Sequence, residues 1–102
     1  MKPTANKIVL QITETVLRVN TQGRWHGFIH FSGHTEQVEV YFHPVSTNYQ
    51  KPAELWPEFH HQISHTAPHL YDSEADMLRA LHELHAFAKE HLTSPKPGKE
   101  AA

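Results

Sequence analysis

Histidine is the residue type that could do chemistry here. Eleven of the 102 side chains are imidazoles, and there is no cysteine. His61, His65 and His69 follow one another at four-residue spacing, with His60 beside them. On a helix that spacing stacks side chains on one face. Two imidazoles four residues apart would then grip zinc or another divalent metal ion. Pro68 weakens the pattern, because His69 lies beyond any helix that carries His61 and His65. The same residues would serve equally as an exposed polar helix face. Glu58 and His61 have the spacing of half a di-iron site. Such sites need a second Glu-x-x-His and further glutamates on a four-helix bundle, and the second motif is missing.

His82-Glu83-Leu84-His85 is one residue short of the zinc-protease motif, which needs histidines at i and i+4 with the Glu as base. His85 sits beside Leu78 and Leu81 in the helical pattern and reads as a core-edge histidine with one nitrogen satisfied. His26 and His30 share a strand face with Phe28 between them. They could hold a metal, an anion or a partner's carboxylate, or line a solvated face. No His-x-His pair, glycine-rich phosphate loop, GxSxG or CxxC occurs. An enzyme reading would rest on histidine abundance alone. The expectation is a non-enzymatic protein, with a metal-dependent hydrolase as the remote alternative.

The charge balance excludes other classes. Nine Lys and Arg against eleven Asp and Glu give a formal charge of −2. Protonating all eleven imidazoles would take it to +9, so the chain's charge must swing strongly near pH 6.5, where free imidazoles titrate. The basic residues are scattered, which leaves no footprint for nucleic acid. No apolar run approaches a membrane span, and the N-terminus has no signal-peptide core. The lack of cysteine fits a reducing compartment. The expected location is therefore the cytoplasm.

The elements that must position these residues begin with a hairpin. In Trp25–Phe31 and Val38–Phe42 side chains alternate with a strand's period of two, and aromatic and β-branched residues dominate. Residues 32–36, SGHTE, form the connector, and Pro44 stops the second strand. Gly27 marks a bulge or a close approach of another backbone.

Ahead of the hairpin, Val9, Ile12, Val16 and Val19 recur at helical spacing with Ile8 on the same face, Thr4 as a cap and residues 1–5 frayed. Leu10 and Leu17 widen the stripe, and Thr15 is placed on the outer side. The Ile, Val and Thr content argues the other way, for one or two strands of a meander. The periodicity favours helix.

Residues 45–52 read as a loop. Leu55, Trp56, Phe59 and Ile63 then predict a short helix over 54–64. The strongest helix starts at Ser73 and carries Met77, Leu78, Leu81, Leu84, Phe87, Ala88 and Leu92 on one face, with Lys89 and His91 suiting the negative end of its dipole. The composition of 93–102 predicts a disordered tail.

The stretch from Arg24 to Val40, RWHGFIHFSGHTEQVEV, resembles the strand–SGH–strand hairpin of short uncharacterised proteins of prophages and other mobile elements. The resemblance implies a small accessory protein and assigns no activity and no functional residue.

The expected structure is thus one α+β domain over 1–92: an antiparallel hairpin or small meander against a C-terminal helix, with additional short helices. With a helical N-terminus only two strands remain, and both edges of the hairpin need cover. Pairing two hairpins across a two-fold axis would supply it. The leading functional expectation is a self-associating interaction module, a homodimer with a possible further protein partner. Its surface would be Trp25, His26, Phe28, His30, Tyr41 and Tyr49. Trp25 and Trp56 could instead be core, and Tyr49 is the best exposed anchor. No cofactor is expected unless the histidines hold zinc or another divalent metal, through His61 and His65 with His60 or His69 as auxiliary ligands.

Overall fold

A computed structural model describes residues 4–92. The chain runs helix α1 (Ala5–Gln22), strands β1 (Trp25–Ser32), β2 (Gln37–Pro44) and β3 (His60–His65), then helix α2 (Glu74–Lys89), with single 3-10 turns at Ala53–Leu55 and Pro68–Leu70. It is an α+β fold. The expected tail, 93–102, lies outside the described residues.

The helical rhythm of the N-terminal segment prevails over its β-branched composition because Ile8, Ile12, Val16 and Val19 all reach the core. Helix α1 starts one residue after Thr4, whose Oγ1 accepts from the Lys7 N–H at 3.3 Å. Its first turn is therefore not frayed at Ala5. It ends on Gly23, in the left-handed region at φ 76°. Two details differ from the sequence reading. Leu10 and Leu17 are 69% and 61% exposed and do not widen the stripe, whereas Thr15 is buried. Helix α2 is capped by Ser73, which accepts from the Asp76 N–H at 3.1 Å, and buries Met77, Leu81, Leu84 and Ala88.

The sheet is antiparallel in the order β1-β2-β3. Register runs from Trp25↔Pro44 to Ser32↔Gln37, and from Gln37↔His65 to Phe42↔His60. The helix expected over 54–64 is not formed. A 3-10 turn and then β3 occupy that stretch. The reason is tertiary: the second edge of β2 carries unpaired backbone groups above a fully buried Val38, Val40 and Phe42, and a strand there satisfies them. With Pro52 and Pro57 in the segment, a helix had little to offer in competition.

Helices α1 and α2 pack on each other and on the same side of the sheet. That side presents Val38, Val40 and Phe42 to them, which leaves the other side of the sheet without a helix among the described residues. Gly27 sets how close α1 comes. The register passes through it without a bulge. A Cβ there would lie 2.9 Å from the Phe42 ring and 3.1 Å from Val16 Cγ1. Gly27→Ala is expected to lower stability by about 1–3 kcal/mol through overpacking, read as a lower urea midpoint. An unchanged midpoint would show that the helix can lift at no cost.

Candidate functional site

Strand alternation sends His26, Phe28 and His30 of β1, Gln37, Glu39, Tyr41 and His43 of β2, and His61, Ile63 and His65 of β3 to the helix-free face. Direct cross-strand neighbours form rows: His26 with His43, Phe28 with Tyr41 and His61, and His30 with Glu39 and Ile63. The segment between β2 and β3 returns over this face and adds Tyr49, Trp56 and Phe59.

The rings are in mutual contact. Phe28 and Tyr41 stack with centroids 4.8 Å apart. His43 and Phe59 stack at 4.5 Å. Trp56 meets His43 and Tyr49 edge-on at 5.5 and 5.3 Å. Trp56 is pinned by its own indole, whose Nε1–H donates to the Lys51 carbonyl at 2.9 Å. Tyr49 is held by a 2.8 Å hydrogen bond between its hydroxyl and His26 Nδ1.

These groups bound an open cleft of about 780 Å³, lined by Phe28, His30, Glu39, Tyr41, His43, Trp56, Glu58 and Phe59 among others. That volume lies within the range of small-ligand sites. Phe28, Tyr49 and Phe59 remain 37%, 41% and 44% exposed, so the returning segment roofs the rings only in part.

His43 is the chemically distinctive member. It is 4% exposed, and its Nδ1 is buried with no hydrogen-bond partner among the described residues. Burial, and secondarily His26, lower its pKa below the usual imidazole value, so it is neutral at pH 7. Burial, and secondarily Tyr41, raise the pKa of Tyr49, which keeps its hydroxyl protonated. Glu39 Oε2 meets His61 Nε2 at 2.7 Å, a half-exposed pair. Pairs so open to solvent contribute about 0–1 kcal/mol.

Five of the six expected interaction residues come together on this face: His26, Phe28, His30, Tyr41 and Tyr49. Trp25 does not. It lies on the helix side, between His60 and His91, with both ring centroids at 5.0 Å. Trp56, read as a possible helix-core residue, belongs to the cleft instead. So do Phe59, which the sequence reading also placed on that helix, and His43, which it assigned no role. His43 continues the Glu39–Tyr41 alternation, and that was the signal available for it.

The four expected metal ligands are dispersed, because the helix that would have stacked them is a strand. His61 and His65 do share a face, but four residues along a strand separate them by roughly 13 Å, too far for one ion. His60 points to the opposite face, and His69 lies in the 3-10 turn Pro68–Leu70. Among the described residues no group of three or more His, Asp or Glu could hold a metal.

Two histidines are interior instead. His91 is 6% exposed. Its Nδ1–H donates to the Phe87 carbonyl at 3.0 Å, so its Nε2 accepts from His60 Nδ1–H at 2.7 Å. Reading it as a cation at the helix end is therefore corrected: burial lowers its pKa. His85 has one nitrogen satisfied, as expected of a core-edge histidine. Thr15 Oγ1–H donates to the Gln11 carbonyl, so His85 Nε2–H donates to Thr15 Oγ1 at 3.0 Å.

No protein-family model matches this chain, and the search of curated proteins and of solved structures returned no match. No helix among the described residues is long and apolar enough to cross a membrane.

Proposed function

We propose that this protein is a small non-enzymatic binding module that receives a protein partner on the helix-free face of its sheet. One observation carries the reading. Both helices cover one side, while Phe28, Tyr41, Tyr49, Trp56 and Phe59 cluster on the other, around a cleft that their own packing leaves open. Aromatic rings set beside a concavity are what anchor protein interfaces. A satellite core under a loop would bury its rings, and three of these five stay more than a third exposed.

Selection of peptides from a displayed library on the immobilised full chain tests this. Selected peptides should lose about tenfold or more in affinity on Tyr41→Ala and on Trp56→Ala. They should keep it on Leu17→Ala, which alters an exposed apolar residue of α1. Peptides that bind all four proteins alike, or a library that yields none, would remove the reading.

Self-association is a second reading, supported by the outer edge of β1. Among the described residues no strand pairs with it. Asn20 blunts the edge at Gly27, accepting from its N–H at 2.7 Å and donating to its carbonyl at 3.1 Å. Beyond that point the edge adjoins an apolar groove lined by Val9, Leu10, Ile29 and Phe31, with Phe31 54% exposed. Two copies pairing β1 to β1 antiparallel would continue the sheet and cover both grooves. Light scattering at tens of micromolar should then give the mass of a dimer, and Phe31→Lys that of a monomer. A monomeric wild-type chain would end this reading.

A further inference from the structure

We propose that the cleft on the helix-free face takes the guanidinium group of an arginine side chain presented by the partner. This rests on the reading of that face as the binding surface and specifies what it recognises.

Two features of the cleft converge on a planar cation. The first is charge. Glu39 and Glu58 both line it, and among the described residues no Lys or Arg does, so with neutral imidazoles it carries two negative charges against none. The second is the nature of its apolar surface. Tyr41, Trp56 and Phe59 are aromatic, and the negative faces of such rings attract a cation. A purely apolar ligand would be served as well by aliphatic walls and hindered by two carboxylates.

A guanidinium answers both at once. It is flat, so it can lie on a ring. It has five N–H donors in a fixed fork that matches a carboxylate. An ammonium is a compact, strongly hydrated point charge and offers no flat face. Glu39 retains its contact to His61 through Oε2, which orients its carboxylate in advance.

The two tryptophans make the test internal to the molecule. Trp56 lines the cleft, while Trp25 lies on the opposite side of the sheet against His60 and His91. The full chain is titrated with three capped tripeptides, Ala-Xaa-Ala, in which Xaa is arginine, citrulline or lysine, and followed by NMR. Arginine peptide should shift the Trp56 indole and Tyr41 signals saturably and leave Trp25 in place. Citrulline keeps the shape and loses the charge, so its affinity should fall about tenfold or more. The double variant Glu39→Gln, Glu58→Gln should lose the same factor for arginine while its Trp25 signals report an intact fold.

Equal binding of the citrulline or the lysine peptide would overturn the inference, as would shifts at Trp25 in place of Trp56, or no shift at millimolar arginine peptide. The binding-module reading fails separately. If library-selected peptides depend on Tyr41 and Trp56 but keep their affinity when every arginine is replaced by citrulline, the surface stands and the guanidinium does not.

Discussion

Phe42→Ala is expected to remove about 3–5 kcal/mol of stability, read as a large drop in the urea midpoint, with the native far-UV and near-UV circular dichroism lost together along the transition. Phe42 has no exposed surface and stands where every layer meets. Its ring stacks on His91 at 4.0 Å and meets Phe87 at 5.7 Å. It also fills the space above Gly27. Truncating a buried Phe costs about 3–5 kcal/mol, since the lost burial and the cavity add. A domain of this size holds only about 5–15 kcal/mol in total. The loss here should lie at the upper end, because the flanking ring of His91 is buried too and cannot swing into solvent without breaking its bonds to Phe87 and His60. Phe28→Ala is the matched control. Phe28 is 37% exposed on the cleft side, so its removal should cost well under half as much. Equal losses from the two substitutions would show that the core does not lie where the helices pack.

Acid should destabilise the protein as the pH falls below about 6.5. His43, His85 and His91 each have a pKa below the usual imidazole value, with burial the largest cause in every case. The secondary lowering causes are His26 for His43, Lys89 and His82 for His85, and His60 for His91; Glu14 opposes for His85, and the backbone of Phe87 and Ala88 with Glu90 opposes for His91. In the unfolded chain all three titrate near 6.5. Above that pH both states hold these rings neutral, and they add no pH dependence. Below it the unfolded chain takes up protons that the native rings resist. Stability is therefore full above about pH 6.5 and falls as pH drops toward the native pKa values.

His91 shows the structural form of the penalty. Its Nε2 accepts from His60, so a proton placed there faces a donor, and His60 must first change tautomer. A second proton on the pair leaves no acceptor between the rings. The melting temperature should hold steady from about pH 8 to pH 7 and then decline toward pH 5. His91→Phe keeps a ring on Phe42 and cannot titrate. His85→Gln keeps a donor for Thr15. The double variant should flatten the acid limb relative to wild type, leaving the part due to His43. A wild-type melting temperature constant from pH 7 to pH 5 would contradict the burial of these rings.

The binding surface and the core differ in how far they could be read in one dimension. The two flanking helices were legible because their apolar positions repeat at helical spacing, Ile8, Ile12, Val16 and Val19 in one and Met77, Leu81, Leu84 and Ala88 in the other, although in the first the β-branched content argued for strands. Thr4 and Ser73 marked their starts through the same short-range hydrogen bond. The hairpin was legible from its alternation, which put His26, Phe28 and His30 on one face; the register with β2 added Tyr41 to it. The error at 54–64 came from the same method. Leu55, Trp56, Phe59 and Ile63 are spaced as in a helix, but their burial in the fold is on a sheet face or in solvent, so the spacing carried no packing. What the segment becomes depends on the bare edge of β2, some twenty residues earlier in the chain, and no local pattern encodes that.

By itself, then, the sequence determined the local elements whose signals are short-range: the caps, the two amphipathic stripes and the alternating strands, and with them the pH range in which the molecule must respond. Tertiary structure alone decided which side of the sheet the helices take, that a third strand closes β2, and that His91 and His43 sit out of water while His61 and His65 are parted. Each of these follows from what one segment finds already buried or already unpaired on another. The cleft belongs wholly to this second class. Its walls come from β1, β2 and the segment leading into β3, and only the pairing of those strands brings Glu39, Tyr41, Trp56 and Glu58 around one space.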